Sequence, residues 1–189
     1  MKKLAFLLIF FTSLSSSKAQ ESLESALLSE LNLYRIRMSN TEGLGNLCKV
    51  KCDADLNEIA KHHATYLEKC NASNLRDRSH DEIFNFPGFM EKTFSMRASS
   101  VQMKNESKMV VSEIQFQSFS ALKGTSNREI AKKIILGFDG SKDHKESMVK
   151  EFDPSTESPI VGISIVSKEG SVPGYVDYSV VIDFGVIIK

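Results

Sequence analysis

Tryptophan is absent from this 189-residue chain, and cysteine occurs only three times. Three cysteines cannot build a stapled mini-domain, so the fold must rest on an apolar core. There is no excess of basic charge, since 24 Lys and Arg balance 24 Asp and Glu. A nucleic-acid binder would show a basic stripe, so that class of partner is set aside. No apolar run approaches 18 residues, and no transmembrane segment is expected. Internal repeats and low-complexity linkers are also missing. What is present, 41% apolar residues, is too much for a disordered chain and enough for one domain with a substantial core.

The N-terminus has the form of a sorting signal. Lys2 and Lys3 precede the apolar run Leu4 to Phe11, and Ser17-Lys18-Ala19 supplies small residues for a signal peptidase. Eight apolar residues rise only about 12 Å as a helix, against a hydrocarbon core of about 30 Å. Residues 1–19 are therefore expected to be a cleaved signal peptide, with residues 20–189 forming a single exported domain, periplasmic or extracellular. The mature chain then carries 21 basic and 24 acidic side chains.

Helical spacing runs from Leu23 to Met38 through Leu27, Leu31 and Tyr34. A second helix is expected after Asp53, an N-cap, with the stripe Leu56, Ile59, Ala60, His63 and Leu67. Ser126-Asn127-Arg128-Glu129 has the capping-box form and opens a third helix through Ile130, Ile134 and Phe138. A short helical piece is expected around and after His144, ending before Asp153-Pro154. Residues 83–110 have no clean period, and from Met109 to Phe119 a strand and an irregular loop are both open. Ile160–Val166 and Tyr175–Ile188 are β-branched and alternating, and read as a terminal hairpin. Helices first and strands last argue for an α+β fold.

Four pieces carry chemistry. They are Leu31-Asn32-Leu33-Tyr34-Arg35; Val50-Lys51-Cys52-Asp53-Ala54-Asp55-Leu56 with Ala60-Lys61-His62-His63-Ala64; Ser79-His80-Asp81; and Phe138-Asp139-Gly140-Ser141-Lys142-Asp143-His144. In order and spacing they resemble the CAP superfamily (cysteine-rich secretory proteins, antigen 5 and pathogenesis-related proteins), in its bacterial SCP-like form. Ser112-Glu113-Ile114 is similar to the family's G-E-N segment. Phe138 stands where the family has Trp, Ser112 where it has Gly, and Ile114 where it has Asn. The resemblance implies an α-β-α sandwich, with helices on both faces of a small antiparallel sheet. It also implies a cleft with two histidines, His80 and His144, and one acid, Glu113. Ser141 occupies the place of a second acid found in many eukaryotic members.

Two functions follow from that cleft. One is a secreted binding module for a lipid, peptide or envelope partner, expected to be a monomer. The other is a divalent-metal-assisted hydrolase, peptidase-like, in which His80 and His144 share a weakly bound ion such as zinc and Glu113 acts as general base through a water. A simpler role for Glu113 is to hydrogen-bond a cleft histidine and fix its tautomer. Ser141 is expected to cap the helix carrying His144, and His63 to be a core histidine bonded to a backbone group. The aromatic cluster Phe84, Phe86, Phe89 and Phe94 either lines a groove or packs a core. The odd number of cysteines leaves at least one thiol outside any disulfide. Cys52 and Cys70, at opposite ends of the second helix, cannot bridge each other; Cys48 and Cys70 could pair only if the loop folds back along that helix, and three unpaired thiols are the favoured expectation.

Overall fold

The computed structural model describes residues 21–45, 47–73, 75, 80–100 and 107–189. The leader expected over residues 1–19, its cleavage near Gln20, and Ser79 of the Ser-His pair lie outside these residues. Among the described residues the order is α1 (Leu23–Thr41), β1 (Lys51–Cys52), α2 (Ala54–Ala72), α3 (Phe94–Ser100), β2 (Lys108–Leu122), α4 (Asn127–Asp139), α5 (Lys142–Met148), β3 (Glu157–Glu169) and β4 (Tyr175–Ile188). The helix starts follow local chemistry. The Asp53 side chain accepts from the Asp55 and Leu56 N–H groups, and Ser126 and Glu129 form a reciprocal capping box.

The strands form one sheet in the order β1-β3-β4-β2. β3 and β4 pair antiparallel across their whole length, as the expected hairpin. β2 pairs antiparallel with β4 and forms the other edge. The expected all-antiparallel sheet is corrected in one respect. β1 runs parallel to β3, through Lys51↔Ile160 and Cys52↔Val161, so the sheet is mixed. The direction of β1 is set before it reaches the sheet. Asn32 of α1 donates to Val50 O at 3.1 Å and accepts from Val50 N at 2.9 Å. Arg35, fully buried, donates to Cys48 O at 2.9 Å, Met148 O at 2.6 Å and Lys150 O at 3.0 Å. The Asn32/Arg35 spacing thus ties α1 to β1 and to the end of α5, a structural role.

Alternating residues of the strands pack against different helices. Val161, Ile163, Val180, Ile182 and Phe184 join α1 and α4 in the main core. Val181 packs with Ala60, Ala64 and Leu67 of α2, and Ile160 with Leu56, Ile59 and Ala98. Helices therefore cover both faces. On the α2 face the approach is very close: a Cβ on Gly162 would lie 2.2 Å from the carbonyl carbon and oxygen of Leu56. Asn57 completes that contact by accepting from Ile163 N at 2.8 Å.

β2 is a single strand with two irregularities, between Val110 and Ser112 and between Phe116 and Phe119. Each places extra residues opposite β4 and re-phases the side chains. As a result Phe116 and Phe119 both pack on the main core, although they stand three positions apart, an odd interval that regular alternation would put on opposite faces. Residues 83–93 make a turn-rich loop that leads into α3. No helix among the described residues is long and apolar enough to cross a membrane, and none of the three cysteines is in a disulfide.

Candidate functional site

Glu113 lies on β2, pointing to the sheet face that α2 and α3 cover. Its Oε1 accepts from His80 Nδ1 at 2.8 Å, and its Oε2 accepts from Arg97 Nη2 at 2.7 Å. Arg97, on α3, is fully buried and also donates from Nη1 to His80 O at 3.1 Å. One guanidinium therefore holds both the acid and the backbone of the histidine bound to it. Burial alone would push the Glu113 carboxyl up. The hydrogen bond from His80, with the electrostatic pull of His63 and of the Arg97 guanidinium, outweighs that and holds it at about 2.

His63 deepens the network. Its Nδ1 donates to Glu82 Oε1 at 2.9 Å, its Nε2 lies 2.5 Å from Gln115 Oε1, and Glu113 Oε1 is 3.7 Å away. The expectation of a core histidine holds as to burial, but its partners are side chains and not backbone. The reason is that β2 turns Gln115 as well as Glu113 to this face. Glu82 in turn accepts from Met90 N at 2.7 Å and lies 3.8 Å from Arg97 Nε. The loop that follows His80 is thus pinned to α2 and α3 by one carboxylate. Tyr66, stacked on His63 with ring centroids 5.7 Å apart, accepts from Ile83 N at 2.9 Å and pins the same loop.

His144 sits on α5, against the other side of the β2 edge. Its ring meets Phe138 edge-on at 5.2 Å and Phe116 at 6.3 Å. These two phenyl rings stack on each other at 4.2 Å, and Phe116 also fills the space a side chain at Gly137 would need, 2.8 Å from a built Cβ. Burial and the nearby His80 press the His144 imidazole below its usual value, against the pull of Asp143. Its Nδ1 is buried without a hydrogen-bond partner. Ser141 occupies the N-cap position of α5, as expected, but its side chain makes no cap hydrogen bond.

Of the three residues expected in the cleft, His80 and Glu113 are in direct contact, and His144 lies close enough to His80 for the two imidazoles to interact electrostatically. Sequence reasoning missed Arg97, Glu82, Gln115 and Asp183. For Asp183 a signal existed: an acid in the middle of the apolar run Val180 to Val186. For Arg97 none did, because α3 has seven residues and no legible stripe. A shared metal ion fits this donor set poorly. Both Glu113 oxygens are already engaged, which leaves two imidazoles where tetrahedral zinc takes four ligands. Among the described residues no group of three or more His, Cys, Asp or Glu is placed to hold a metal.

Beside His80 the surface opens into a depression of about 710 Å³, lined by Asp81, Glu82, Ile83, Phe84, Phe89, Glu91, Lys92 and Met96. Its walls are apolar and partly open to solvent: Phe84 is 74% exposed, and Ile83 and Met96 are each 47% exposed. Phe84 meets Phe89 edge-on at 5.4 Å. The loop bends sharply at Asn85 and Gly88, both at positive φ. A glutamate backbone N–H to Lys92 O bond, from Glu82 at 2.8 Å, closes its base. Of the aromatic cluster, Phe84 and Phe89 line this groove, while Phe86 packs on Tyr66 and Phe94 on the core beneath α2. Comparison with family models, with curated proteins and with solved structures gave no match.

Proposed function

We propose that this chain is an exported binding module of the CAP type, and that its ligand seats an apolar body in the groove beside His80. The observation that carries the reading is the groove itself: Ile83 and Phe84 held open to solvent on a loop that Glu82 and Tyr66 fix in place, with Met96 of α3 exposed beside them. Contiguous apolar surface of this kind marks a binding site more often than a packing fault. A lipid chain and an apolar peptide share the chemistry that it would accept.

The hydrolase alternative is less well supported. A general base works best with its pKa near the operating pH, and Glu113 is held at about 2 with both oxygens bonded. Its arrangement matches the simpler role of fixing His80.

The test is titration of the purified mature chain with a fluorescent long-chain fatty acid and, separately, an apolar peptide. Burying one Phe side chain is worth about 1.5–3 kcal/mol, so Phe84→Ser should weaken binding at least about tenfold. Phe84 is exposed, and its loss should leave thermal stability unchanged. Equal affinity in wild type, Phe84→Ser and Met96→Ser would overturn the groove. Ester or peptide turnover that disappears in Glu113→Gln would favour the hydrolase.

A further inference from the structure

Asp183 is the most deeply buried carboxylate among the described residues, at 0% exposure, and the binding reading makes no use of it. It sits in the middle of β4, opposite Glu113 in the strand register. Two carboxylates therefore stand side by side on the sheet face that α2 and α3 cover. Neither Asp183 oxygen meets a protein donor. Arg97 directs its two terminal nitrogens to Glu113, His80 O and Lys92 O instead. Two adjacent buried anions with one guanidinium between them would be strongly unfavourable, and a carboxyl so placed neutralises rather than ionises. Burial and the Glu113 charge both push Asp183 well above the usual carboxylate range, against the pull of Arg97.

We propose that Asp183 is a neutral carboxylic acid at physiological pH, that its hydroxyl donates to Glu113, and that it is the positioning residue which sets Glu113 beneath His80. The Glu113 carboxylate then has three donors: His80 on one oxygen, Arg97 on the other, and Asp183 across the strands. Each donor favours the ionised form, so the division of charge is fixed, with Glu113 the anion and Asp183 the acid. A Glu113 side chain held from three directions has one rotamer. His80, bonded to it through Nδ1, is left with Nε2 as its outward-facing ring nitrogen. Since 44% of the His80 side chain is exposed, that nitrogen is the imidazole atom the cluster turns outward, close to the apolar groove. The consequence for ligand binding rests on the reading of the groove, whereas the proton on Asp183 does not.

The experiment therefore reads the proton and the histidine directly, with no ligand present. Infrared spectra of the mature chain at pH 7, with aspartate isotopically labelled, should show the carbonyl stretch of an un-ionised carboxylic acid, and Asp183→Asn should remove it. In nitrogen-resolved NMR, the exchange-protected Nδ1 proton of His80 should be present in wild type. It should persist in Asp183→Asn, whose amide still donates to Glu113, and disappear in Asp183→Leu, which fills the space without donating. Absence of the infrared band in wild type would overturn the proposal. So would a protected His80 proton that survives in folded Asp183→Leu. If Asp183→Leu does not fold, the infrared band and its loss in Asp183→Asn decide the matter. Failure of the fatty-acid titration with these signals intact would fall on the groove alone.

Discussion

Replacing Glu113 by glutamine removes one negative charge from a buried network while keeping the size of the side chain. The carboxyl sits at about 2, against an ordinary value of 4.5, a difference equivalent to about 3 kcal/mol of folding free energy at neutral pH. A second route gives a similar figure. Removing one partner of a buried ion pair costs about 3–5 kcal/mol, and Arg97 would be left with Glu82 at 3.8 Å and the carboxyl of Asp183 as acidic neighbours. Some of that loss is offset, because Asp183 no longer faces an anion. The expected net cost at pH 7 is about 2–3 kcal/mol. Its pH dependence is the sharper test. A carboxyl held below its unfolded value contributes stability that is present above that value and is lost as pH falls through the folded one. The gap between wild type and Glu113→Gln should therefore be full above about pH 5 and close towards about pH 2, where wild-type Glu113 is itself protonated. Urea unfolding of both proteins at steps across that range measures it. A gap of the same size at both ends would mean that shape and not charge is at stake, and the electrostatic account of the cluster would fail.

Two further outcomes follow from the packing. Gly162→Ala should destabilise by at least about 3 kcal/mol or prevent folding, because its Cβ would sit 2.2 Å from α2 backbone, which has no room to yield; a thermal midpoint within a degree or two of wild type would contradict the observed approach of α2 to β3. Arg35→Met should cost about 2–4 kcal/mol in urea unfolding, since three carbonyl oxygens lose their donor, while binding at the groove on the far side of the sheet stays unchanged.

How far the site could be read from the sequence depended on how local each signal was. His80 and Glu113 could be singled out because short motifs mark them, and the structure places the two in hydrogen-bond contact. Arg97 and Glu82 carry no such mark, since their roles come from a loop that folds back onto its own start: Arg97 reaches His80 across 17 residues, and Met90 reaches Glu82 across 8. β2 stayed ambiguous because two irregularities break the alternation by which a strand is recognised. Gln115 was invisible for the same reason: with the phase of β2 unknown, nothing told which of its residues faced α2.

The amino-acid order alone determined the helix starts at Asp53 and Ser126, the terminal hairpin and the α+β class. Each of these depends on interactions within a few residues: a side chain capping the next turn, or a two-residue alternation across one strand. Only the tertiary structure decided the parallel pairing of β1, the partners of His63 and the meeting of Asp183 with Glu113. Those 70 positions of separation between the two acids leave no trace in either neighbourhood, because strand register is fixed by the whole buried face and not by the residues that it brings together. The charges in the cluster are set the same way. Whether a carboxyl in this chain is an anion or a neutral acid depends on burial and on the donors around it, and both exist only once the sheet and its helices have closed over it.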